Sequence, residues 1–428
     1  MNHPGRVQYL YSLGNEVKSI KLGLDRMRLM VAALDHPERA GRIVHVAGTN
    51  GKGSTCAMIE RGLRNKGLST GLYTSPHFLD PTERIQLNGK PITEQQFSTV
   101  FDEMHNVAEA LIKRGSLDMH PTYFESLTLM AFLVFRQARV NTVVLETGLG
   151  GRLDATNVVT PALSVITAID FDHMQWLGDS IEQIAAEKAG IVKPGVPVVV
   201  AHQRPEARIP IDRAALAAAA PLDDLDQWKM HVDSMDAYGG TYSLERGDTK
   251  LEVYCPLAGE HQLRNSATAA VALHHLSLTP REIFDGIGQA QWPGRLERVS
   301  QQPDVILDGA HNVGGATALA AYIRHFHQGR TVWMIFGVMA DKQVNEIAQI
   351  LFPLATHLIL TAPEQARALA AAEIAKLPVA GQARVVPNLT EALQVIHQAA
   401  PDDVVFITGS LYLVGEARPI LRRMGVLG

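Results

Sequence analysis

The stretch RIVHVAGTNGKGS, residues 42–54, contains the pattern that decides the fold. Its apolar first half, Arg42–Ala47, predicts a buried strand, and the glycine-rich second half predicts a turn. Residues 55–66 have helical spacing and are followed by Gly67, a common helix stop. A strand, a glycine-rich loop and a helix in this order predict a phosphate cradle, because glycine lets backbone N–H groups face an anion at the positive end of a helix.

Lys52 is the residue of this loop that can reach the terminal phosphates of a nucleotide. The loop departs from the common pattern GxxxxGK[ST] in two places: Val46 replaces the first glycine, and Gly53 separates Lys52 from Ser54. Ser54 is therefore a poor candidate for a magnesium ligand. The alternative is an ordinary glycine-rich turn, which requires the lysine and the strand–helix context to coincide by chance.

Strand-like apolar runs alternate with helical patterns along the chain, which predicts an α/β fold with parallel sheets covered by helices. In the first part we predict strands at 142–146, 163–169 and 196–201 and helices at 124–138 and 180–189. The alanine-rich residues 214–224 predict ordinary helix, and residues 241–255 predict a hairpin added to the edge of the sheet. A second series of strands begins at Val305 and continues at 332–336, 357–360 and 404–408.

A domain boundary is predicted at residues 295–302, because Pro293-Gly294 and the polar segment after them have the composition of a hinge. We therefore expect a first domain at 1–295, with the phosphate loop and a parallel-rich sheet. A smaller, Rossmann-like α/β domain is expected at 296–428.

The composition excludes several classes of protein. The chain has 428 residues, 46% of them hydrophobic, and a net charge of -5 without a basic stripe, so nucleic acid is not an expected partner. No leader pattern or apolar run of roughly 20 residues occurs, which predicts a cytoplasmic protein without a membrane contact. Two distant cysteines fit a reducing compartment and exclude a zinc site built of cysteines, so any metal must be bound by oxygen or histidine. We expect a monomer, because no coiled-coil heptads occur.

Three further segments place polar side chains after predicted strands or helices. Glu146 ends a strand and opens the loop LETGLGGRLDATN, where it could hold Mg²⁺ or only cap a turn. The loop DFDHMQWLG places His173 beside two acids, as ligand, base or ordinary structural histidine. Lys188 ends a predicted helix, where a cation is favourable without any function.

Eight motifs in order carry a resemblance over nearly the whole chain. They are GTNGKGS (48–54), SPH (75–77), TYFE (122–125), LETGLGGRLDATN (145–157), DH (172–173), EKAGI (187–191), PGR (293–295) and DGAHN (308–312). This set resembles the dihydrofolate synthase/folylpolyglutamate synthase family of the Mur ligase superfamily. The resemblance implies a Mur-ligase-type ATPase domain followed by a glutamate ligase domain.

The resemblance also implies the cofactors. Mg²⁺ would be held by Ser75, Glu146 and His173, with a second magnesium site and K⁺ as further candidates. A histidine nitrogen is unusual for Mg²⁺, so Mn²⁺ could also serve. Lys188 would be carbamylated, which requires a neutral amine and hence a depressed pKa.

Substrate contacts follow from the same motifs. ATP would contact Thr49, Asn50, Gly51, Lys52, Gly53, Ser54, Asn265, Arg295 and Asp308. The pterin and aminobenzoate of the acceptor would contact Pro121, Thr122, Tyr123, Phe124, Leu153, Asp154 and Ala155. The incoming glutamate would be handled at His311 and Ser410. Without the resemblance, Tyr123 and Phe124 could equally be core and Arg295 a surface charge.

The implied reaction is ATP-dependent addition of L-glutamate to 7,8-dihydropteroate and to reduced folates through an acyl phosphate, with Lys52, Lys188, His173 and His311 as catalytic candidates. Asp154 and the TYFE segment favour both activities over a monofunctional folylpolyglutamate synthase. Two other readings compete: a Mur-type ligase of peptidoglycan precursors and a nucleotide switch. About forty residues precede the first strand, which we expect to be too few for a UDP-binding domain.

Overall fold

The computed structural model describes residues 1–14 and 23–427, and the first sheet lies in the first part of this chain. Its strands are Arg42–Ala47 (β1), Thr70–Tyr73 (β2), Ile85–Leu87 (β3), Lys90–Pro91 (β4), Thr142–Glu146 (β5), Leu163–Ile166 (β6), Val198–Val200 (β7) and Leu222–Asp224 (β8). They lie in the order β4-β3-β2-β5-β1-β6-β7-β8. The sheet is parallel from β2 to β8, and β3 and β4 are antiparallel at one edge.

Helices cover both faces of this sheet. They are His3–Ser12 (α1), Asp25–Ala33 (α2), Lys52–Asn65 (α3), Glu94–Lys113 (α4), Tyr123–Ala138 (α5), Met174–Leu177 (α6), Ile181–Ala189 (α7), Pro205–Ala217 (α8), Glu260–His275 (α9) and Pro280–Ile287 (α10). Side chains of β1 alternate between the faces: Ile43 packs with α4 and α5, and Val44 and Val46 pack with α3 and α9. Burial on both faces explains why this strand is apolar throughout.

A separate antiparallel sheet packs against α9 and α10. Its strands are Lys229–Met235 (β9), Gly240–Arg246 (β10) and Thr249–Cys255 (β11), in the order β11-β10-β9. The predicted hairpin is therefore confirmed, but its predicted position at the edge of the first sheet is wrong. Leu244, Leu251 and Val253 are buried in one apolar cluster with α9, so burial against that helix fixes the hairpin.

The second half of the chain forms a six-stranded sheet. Its strands are Glu297–Gln301 (β12), Asp304–Leu307 (β13), Val332–Phe336 (β14), His357–Leu360 (β15), Arg384–Val385 (β16) and Val404–Thr408 (β17). They lie in the order β12-β13-β17-β14-β15-β16, and all pairs are parallel except β12 with β13. The helices are Val313–Phe326 (α11), Val344–Leu351 (α12), Ala371–Ile374 (α13), Leu389–Leu393 (α14) and Leu411–Arg423 (α15). The predicted α/β class is confirmed.

Several predicted boundaries need correction. The helix after the glycine-rich loop begins at Lys52, not at residue 55, because Gly51 at φ +84° is its N-cap. Residues 214–224 are not one helix, since α8 ends at Ala217 and β8 follows. The link from β5 to β6 contains the 3-10 turn Ala155–Val158 and no α-helix.

The predicted hinge is also shorter than expected. Part of the polar segment, Glu297–Gln301, is strand β12. Of the predicted hinge, only residues 293–296 therefore lie outside a strand or helix before the second sheet, and they are the candidate joint. The boundary at 295/296 stays a prediction. Among the described residues, no helix combines the length and apolar character that a membrane span requires.

Candidate active site between the two sheets

A cavity of about 730 Å³ lies between the two parallel sheets. Its wall includes residues that follow β1, β5 and β6 in the first sheet and β13, β14 and β17 in the second. Both sheets therefore contribute the carboxyl ends of their parallel strands, where α/β proteins bind ligands.

Most predicted site residues meet in this cavity. Those that line it are Thr49, Asn50, Gly51, Lys52, Gly53, Ser54, Ser75, Thr122, Phe124, Glu146, Leu153, Asp154, Ala155, His173, Lys188, Asn265, Arg295, Asp308, His311 and Ser410. In the described chain, Pro121 and Tyr123 do not line it. Tyr123 is buried in the core, where its ring stacks on Tyr11 with the centroids 5.4 Å apart.

The glycine-rich loop folds tightly around its own lysine. Lys52 Nζ donates hydrogen bonds to the carbonyl oxygens of Gly48 and Thr49, each at 3.1 Å. A Cβ at Gly51 would lie 2.1 Å from Asn265 Oδ1, so a side chain there would collide with that amide. The absence of a side chain at Gly51 therefore lets Asn265 of α9 lie against the loop. The Lys52 ammonium is held at the N-terminus of α3, a position that favours anions.

A second contact fixes the loop to the strand beside it. Thr49 Oγ1 donates to the carbonyl oxygen of Asp170 at 2.9 Å and accepts from the Asp170 N–H at 3.1 Å. The Asn50 N–H donates to the carbonyl oxygen of Ala168 at 3.1 Å. The segments after β1 and β6 consequently form one rigid surface.

Two carboxylates are buried on the first side of the cavity. Glu146 is 3% exposed, and its Oε2 accepts a hydrogen bond from the Ser75 N–H at 3.1 Å. Burial raises the pKa of Glu146, while Lys52 and Arg295 favour its charged form. Asp154 accepts from the N–H groups of Gly148 and Leu149, so it shapes the loop after β5.

Lys188 is a buried amine in the last turn of α7. Its Nζ donates to the carbonyl oxygen of Gly48 at 2.7 Å. Burial, together with the nearby charge of Lys52, lowers the pKa of Lys188 to about 7, although Asp172 and Asp154 act in the opposite direction. A neutral amine is therefore accessible near physiological pH.

Asp172 joins the two sides of the cavity. Lys342 Nζ, from the segment after β14, donates to Asp172 Oδ1 at 2.9 Å. The Nε2 atoms of His173 and His311 each lie 3.9 Å from Asp172 Oδ2. Burial alone would raise the pKa of Asp172, but His173, Lys342 and His311 hold it well below its usual value. Because burial lowers the pKa of both imidazoles to about 4, Lys342 is the permanent cation of this group.

Asn312 makes a second link across the cavity. It is the N-cap of α11, and its Oδ1 accepts from the Gly315 N–H at 2.8 Å. Its Nδ2 donates to Asn50 Oδ1 at 2.9 Å and to Asp172 Oδ2 at 3.3 Å. One side chain thus caps a helix of the second sheet and contacts both loops of the first.

Asp308 fixes the start of the second sheet. Its Oδ2 accepts from the Leu296 N–H at 2.9 Å and its Oδ1 from the Ala310 N–H at 3.0 Å. Arg295 is half-buried in the cavity wall, which argues against an ordinary surface charge, and its charge opposes the rise that burial causes in the pKa of Asp308. Leu296 has φ +48°, a left-handed conformation that a leucine rarely adopts.

Phe124 and Thr122 line another part of the wall. Thr122 caps α5 and shares a capping box with Glu125, which also forms an ion pair with Arg26 at 2.8 Å. A Cβ at Gly148 would lie 2.3 Å from the Phe124 ring, so this glycine lets the ring lie against the loop after β5. The result is a flat apolar surface beside polar backbone.

Sequence reasoning did not select Lys342, Asn312 or Asp170. Asn312 lies inside the quoted DGAHN motif, directly after β13. Lys342 lies in the segment after β14, so the rule that placed Glu146 at a strand end could have indicated it.

Comparisons with known proteins identify the class. The family model of the Mur ligase middle domain matches residues 46–273, and that of the Mur ligase, glutamate ligase domain matches residues 294–411. The chain is 36% identical over 413 residues to dihydrofolate synthase/folylpolyglutamate synthase of Bacillus subtilis (strain 168), covering 94% of this chain and 96% of the relative. It is 33% identical over 425 residues to the protein of the same name from Escherichia coli (strain K12), covering 98% and 96%.

A solved structure agrees with these relatives. Escherichia coli FolC in complex with DHPP and ADP superposes with a TM-score of 0.90 at 31% identity, covering 99% of each chain. The two matched domains and the phosphate loop at their interface define a ligase of the Mur type. Within that class, the chain belongs to the dihydrofolate synthase/folylpolyglutamate synthase family, as its motifs predict.

Proposed function

We propose that the protein uses ATP to join L-glutamate to 7,8-dihydropteroate, forming dihydrofolate, and to reduced folates, forming folylpolyglutamates. The observation that carries this proposal is the single cavity in which the phosphate loop, the apolar wall at Phe124 and the groups of the second sheet meet. The names of the relatives support both activities. A monofunctional folylpolyglutamate synthase is the second candidate, since the relative from Lacticaseibacillus casei has the name folylpolyglutamate synthase alone.

We assign ATP to the glycine-rich side of the cavity. The loop N–H groups and the α3 N-terminus suit its phosphates, and Lys52 lies among them. Asn265, Arg295 and Asp308 lie at the junction of both sheets, which would let closure respond to bound nucleotide. We also assign residues 1–295 to the ATP- and acceptor-binding domain and residues 296–428 to the glutamate ligase domain.

A magnesium ion would fit on the same side of the cavity as ATP. Ser75, Glu146 and His173 would hold it, and the fit rests on Glu146, a carboxylate whose burial disfavours its charge unless a cation lies nearby. The pKa of His173 near 4 keeps its imidazole neutral, as a ligand must be. Bound Mg²⁺ would neutralise phosphate charge. A second magnesium and K⁺ remain further parts of this proposal.

Lys188 is proposed to be carbamylated. Its neutral amine would attack the carbon of CO₂ and lose a proton, so that a cation becomes a buried carboxylate. The lowered pKa near 7 supports this step, because a fully protonated lysine has no free electron pair. The new carboxylate would lie close to Lys52, whose charge would compensate it.

The reaction requires activation of a carboxylate. The acceptor carboxylate would attack the γ-phosphate of ATP, which releases ADP and leaves an acyl phosphate. Lys52 and the loop N–H groups would stabilise the charge that develops on the transferred phosphoryl oxygens. The glutamate amine would then attack the acyl carbon and expel phosphate, which completes the amide.

His311 is our candidate for the base that accepts the proton of the glutamate amine. Its Nδ1 lies 2.7 Å from the Gly309 carbonyl oxygen, so Nδ1 carries the hydrogen and Nε2 keeps a free electron pair. Asp172 Oδ2 lies 3.9 Å from this Nε2 and would stabilise the imidazolium that forms. Ser410, the N-cap of α15, is assigned to the glutamate carboxylates because a helix N-terminus favours anions.

The experiment is phosphate release by the purified protein with Mg-ATP and glutamate. The acceptors are 7,8-dihydropteroate, tetrahydrofolate and a UDP-muramoyl peptide. Turnover with both pterins supports the bifunctional assignment, and turnover with tetrahydrofolate alone selects the monofunctional candidate. Turnover only with the muramoyl peptide, or ATP hydrolysis independent of acceptor and glutamate, would overturn the proposal in favour of the peptidoglycan ligase or the switch.

We also propose that the protein is a cytoplasmic monomer. Both cysteines, Cys56 and Cys255, are buried free thiols, which agrees with a reducing compartment. Sedimentation of the purified protein tests the monomer, and a mass of twice 46.6 kDa would contradict it.

A further inference from the structure

Two histidines and a glutamate converge on the outer side of α4, away from the cavity. His105 and Glu109 are one turn apart on that helix, and His120 lies in the loop that precedes α5. One ligand atom from each lies within 4.8 Å of the others. None of the three lines the cavity, so this cluster is separate from the proposed magnesium residues.

The two imidazoles are already oriented as a pair. His120 Nδ1 lies 3.1 Å from the Pro121 carbonyl oxygen, so this nitrogen carries the hydrogen and donates it. The electron pair of His120 Nε2 therefore points toward His105 Nδ1, which is 3.1 Å away. A carbonyl that fixes the tautomer in this way is the usual outer partner of a metal-binding histidine.

Aromatic rings hold the histidines in place. Tyr9 packs edge-on against His105 and His120 at centroid distances of 5.0 and 5.6 Å, and Phe101 stacks on His105 at 5.4 Å. Rings fixed by packing need little reorganisation to bind an ion. Glu109 is exposed, so its carboxylate can adjust toward the imidazoles without disturbing the core.

We infer that His105, Glu109 and His120 form a binding site for a divalent cation of the zinc class. Tetrahedral zinc with bonds of about 2.0–2.1 Å places two ligand nitrogens about 3.3 Å apart, which agrees with the His105–His120 separation. Two imidazoles and one carboxylate suit Zn²⁺ better than Mg²⁺ or Ca²⁺, and water would fill the fourth position. On binding, the His105 hydrogen moves from Nδ1 to Nε2, so the ring stays neutral.

The position of this site connects it to the acceptor side of the cavity. The Pro121 carbonyl oxygen accepts from His120 and also from Ser126 Oγ at 3.2 Å. Thr122, the next residue, caps α5 and lines the cavity. A bound ion would therefore join α4 to the segment that carries Thr122, and would restrict its movement.

The test is a titration of the full chain with Co²⁺, whose visible absorption reports tetrahedral nitrogen and oxygen ligands, followed by competition with Zn²⁺. We expect one Co²⁺ per chain with this spectrum. His105→Asn and His120→Asn should each weaken binding by more than about 100-fold, since loss of an outer partner alone costs 10- to 100-fold. Glu109→Gln, at an exposed position that does not endanger folding, should weaken it about 10-fold.

His36→Asn is the matched control. His36 is a half-exposed histidine that contacts one carboxylate, Glu38, at 2.9 Å, and the described chain offers it no third ligand. This variant should keep the wild-type spectrum and affinity. The inference is overturned if wild type shows no tetrahedral Co²⁺ spectrum, or if all three variants bind as wild type does, which would place the ion elsewhere.

Discussion

The two walls of the cavity are built in different ways. On the first wall, Lys52 and Lys188 both donate to carbonyl oxygens of the loop that contains Gly48, so both amines are held by contacts within the first sheet's own loops. On the second wall, Lys342 and Asn312 donate across the cavity to groups of the first. The first wall is therefore organised by contacts within one sheet, whereas Lys342 and Asn312 of the second wall depend on contacts with the first sheet.

The difference between the two walls has a consequence for the mechanism. A nucleotide could bind to the first wall without help, because its charges are already in place. The second wall adds Asp308, His311 and the cation Lys342, and the last two lie against Asp172 of the first wall. Substitutions on the first wall should therefore abolish chemistry, and those on the second should mainly weaken the alignment of the two halves.

The largest expected effect comes from Lys52→Ala. Loss of a cation at the developing phosphoryl charge should lower kcat about 10³-fold, since removal of one preorganised donor costs 10²- to 10³-fold. Phosphate release under saturating substrates measures it. Lys90→Ala, at an exposed lysine of β4, is the control and should keep full activity. A loss below tenfold for Lys52→Ala would contradict a phosphate role.

Lys342→Ala should have the next largest effect. It removes the permanent cation beside Asp172 and leaves that buried carboxylate to the neutral imidazoles, so we expect a loss of about 10²-fold in kcat/KM, typical of misplaced reactants. The affinity of the first wall for ADP should change less than about threefold, which corresponds to no more than the net free energy of one hydrogen bond.

The control for that variant is Lys376→Ala. Lys376 contacts Glu373 at 2.7 Å, a lysine–carboxylate pair like that of Lys342 but exposed on the surface. Surface pairs contribute about 0–1 kcal/mol, so activity should be unchanged. Equal losses of ADP affinity and kcat/KM in Lys342→Ala would contradict the division between the two walls.

Asn312→Ser should produce a smaller loss. Serine keeps the oxygen that caps α11 but lacks the amide that reaches Asn50 and Asp172, so we expect kcat/KM to fall about 5- to 10-fold, the value of one net hydrogen bond. Asn388→Ser is matched, since Asn388 also caps a helix, α14, and has no hydrogen bond to a cavity residue among the residues that the structure describes. If both variants retain full activity, the contacts of the Asn312 amide with Asn50 and Asp172 do not contribute to catalysis.

The last expected effect is on stability and not on activity, as a pH dependence that comes from Lys188. The folded pKa near 7 lies below the unfolded value near 10.5, so between these values the unfolded chain binds more protons and stability rises with pH. The slope from this group is at most about 1.4 kcal/mol per pH unit. Lys188→Met removes the slope.

Urea unfolding of both proteins at pH 7.5 and pH 9 measures it, with CO₂ excluded so that no carbamate forms. The free energy of unfolding of wild type should gain on that of Lys188→Met as the pH rises. A constant difference between the two proteins would mean that the Lys188 amine is charged in the folded state.

Much of the fold could be predicted from sequence because the buried parallel strands are apolar along their whole length. The predicted bounds of β1, β5, β14, β15 and β17 agree with the structure. Strand β12 was missed because it lies at an edge, only half-buried, with the polar sequence ERVSQ. Strand β8 was missed because it is only three residues long, LDD, and the alanine-rich sequence before it gives no sign of where the helix ends and the strand begins.

The candidate site could be predicted where one motif places one residue at a strand end. Glu146 and Lys52 belong to this group, and both line the cavity. The contacts of Lys342 and Asn312 could not be predicted, because they depend on how two sheets from different parts of the chain are oriented. The neighbours Tyr123 and Phe124 diverge because successive residues of a helix point about 100° apart, which sends one side chain to the core and the other to the cavity.

The left-handed backbone at Leu296 has a consequence for the speed of the enzyme. Leu296 is 4% exposed and its N–H donates to Asp308, so the joint between the sheets is packed and is hydrogen-bonded to the residue that follows β13. Opening must then turn whole sheets about a few stiff bonds, a collective motion of the microsecond-to-millisecond class. We expect product escape, and not the transfer of the phosphoryl group, to be the slow part of each cycle.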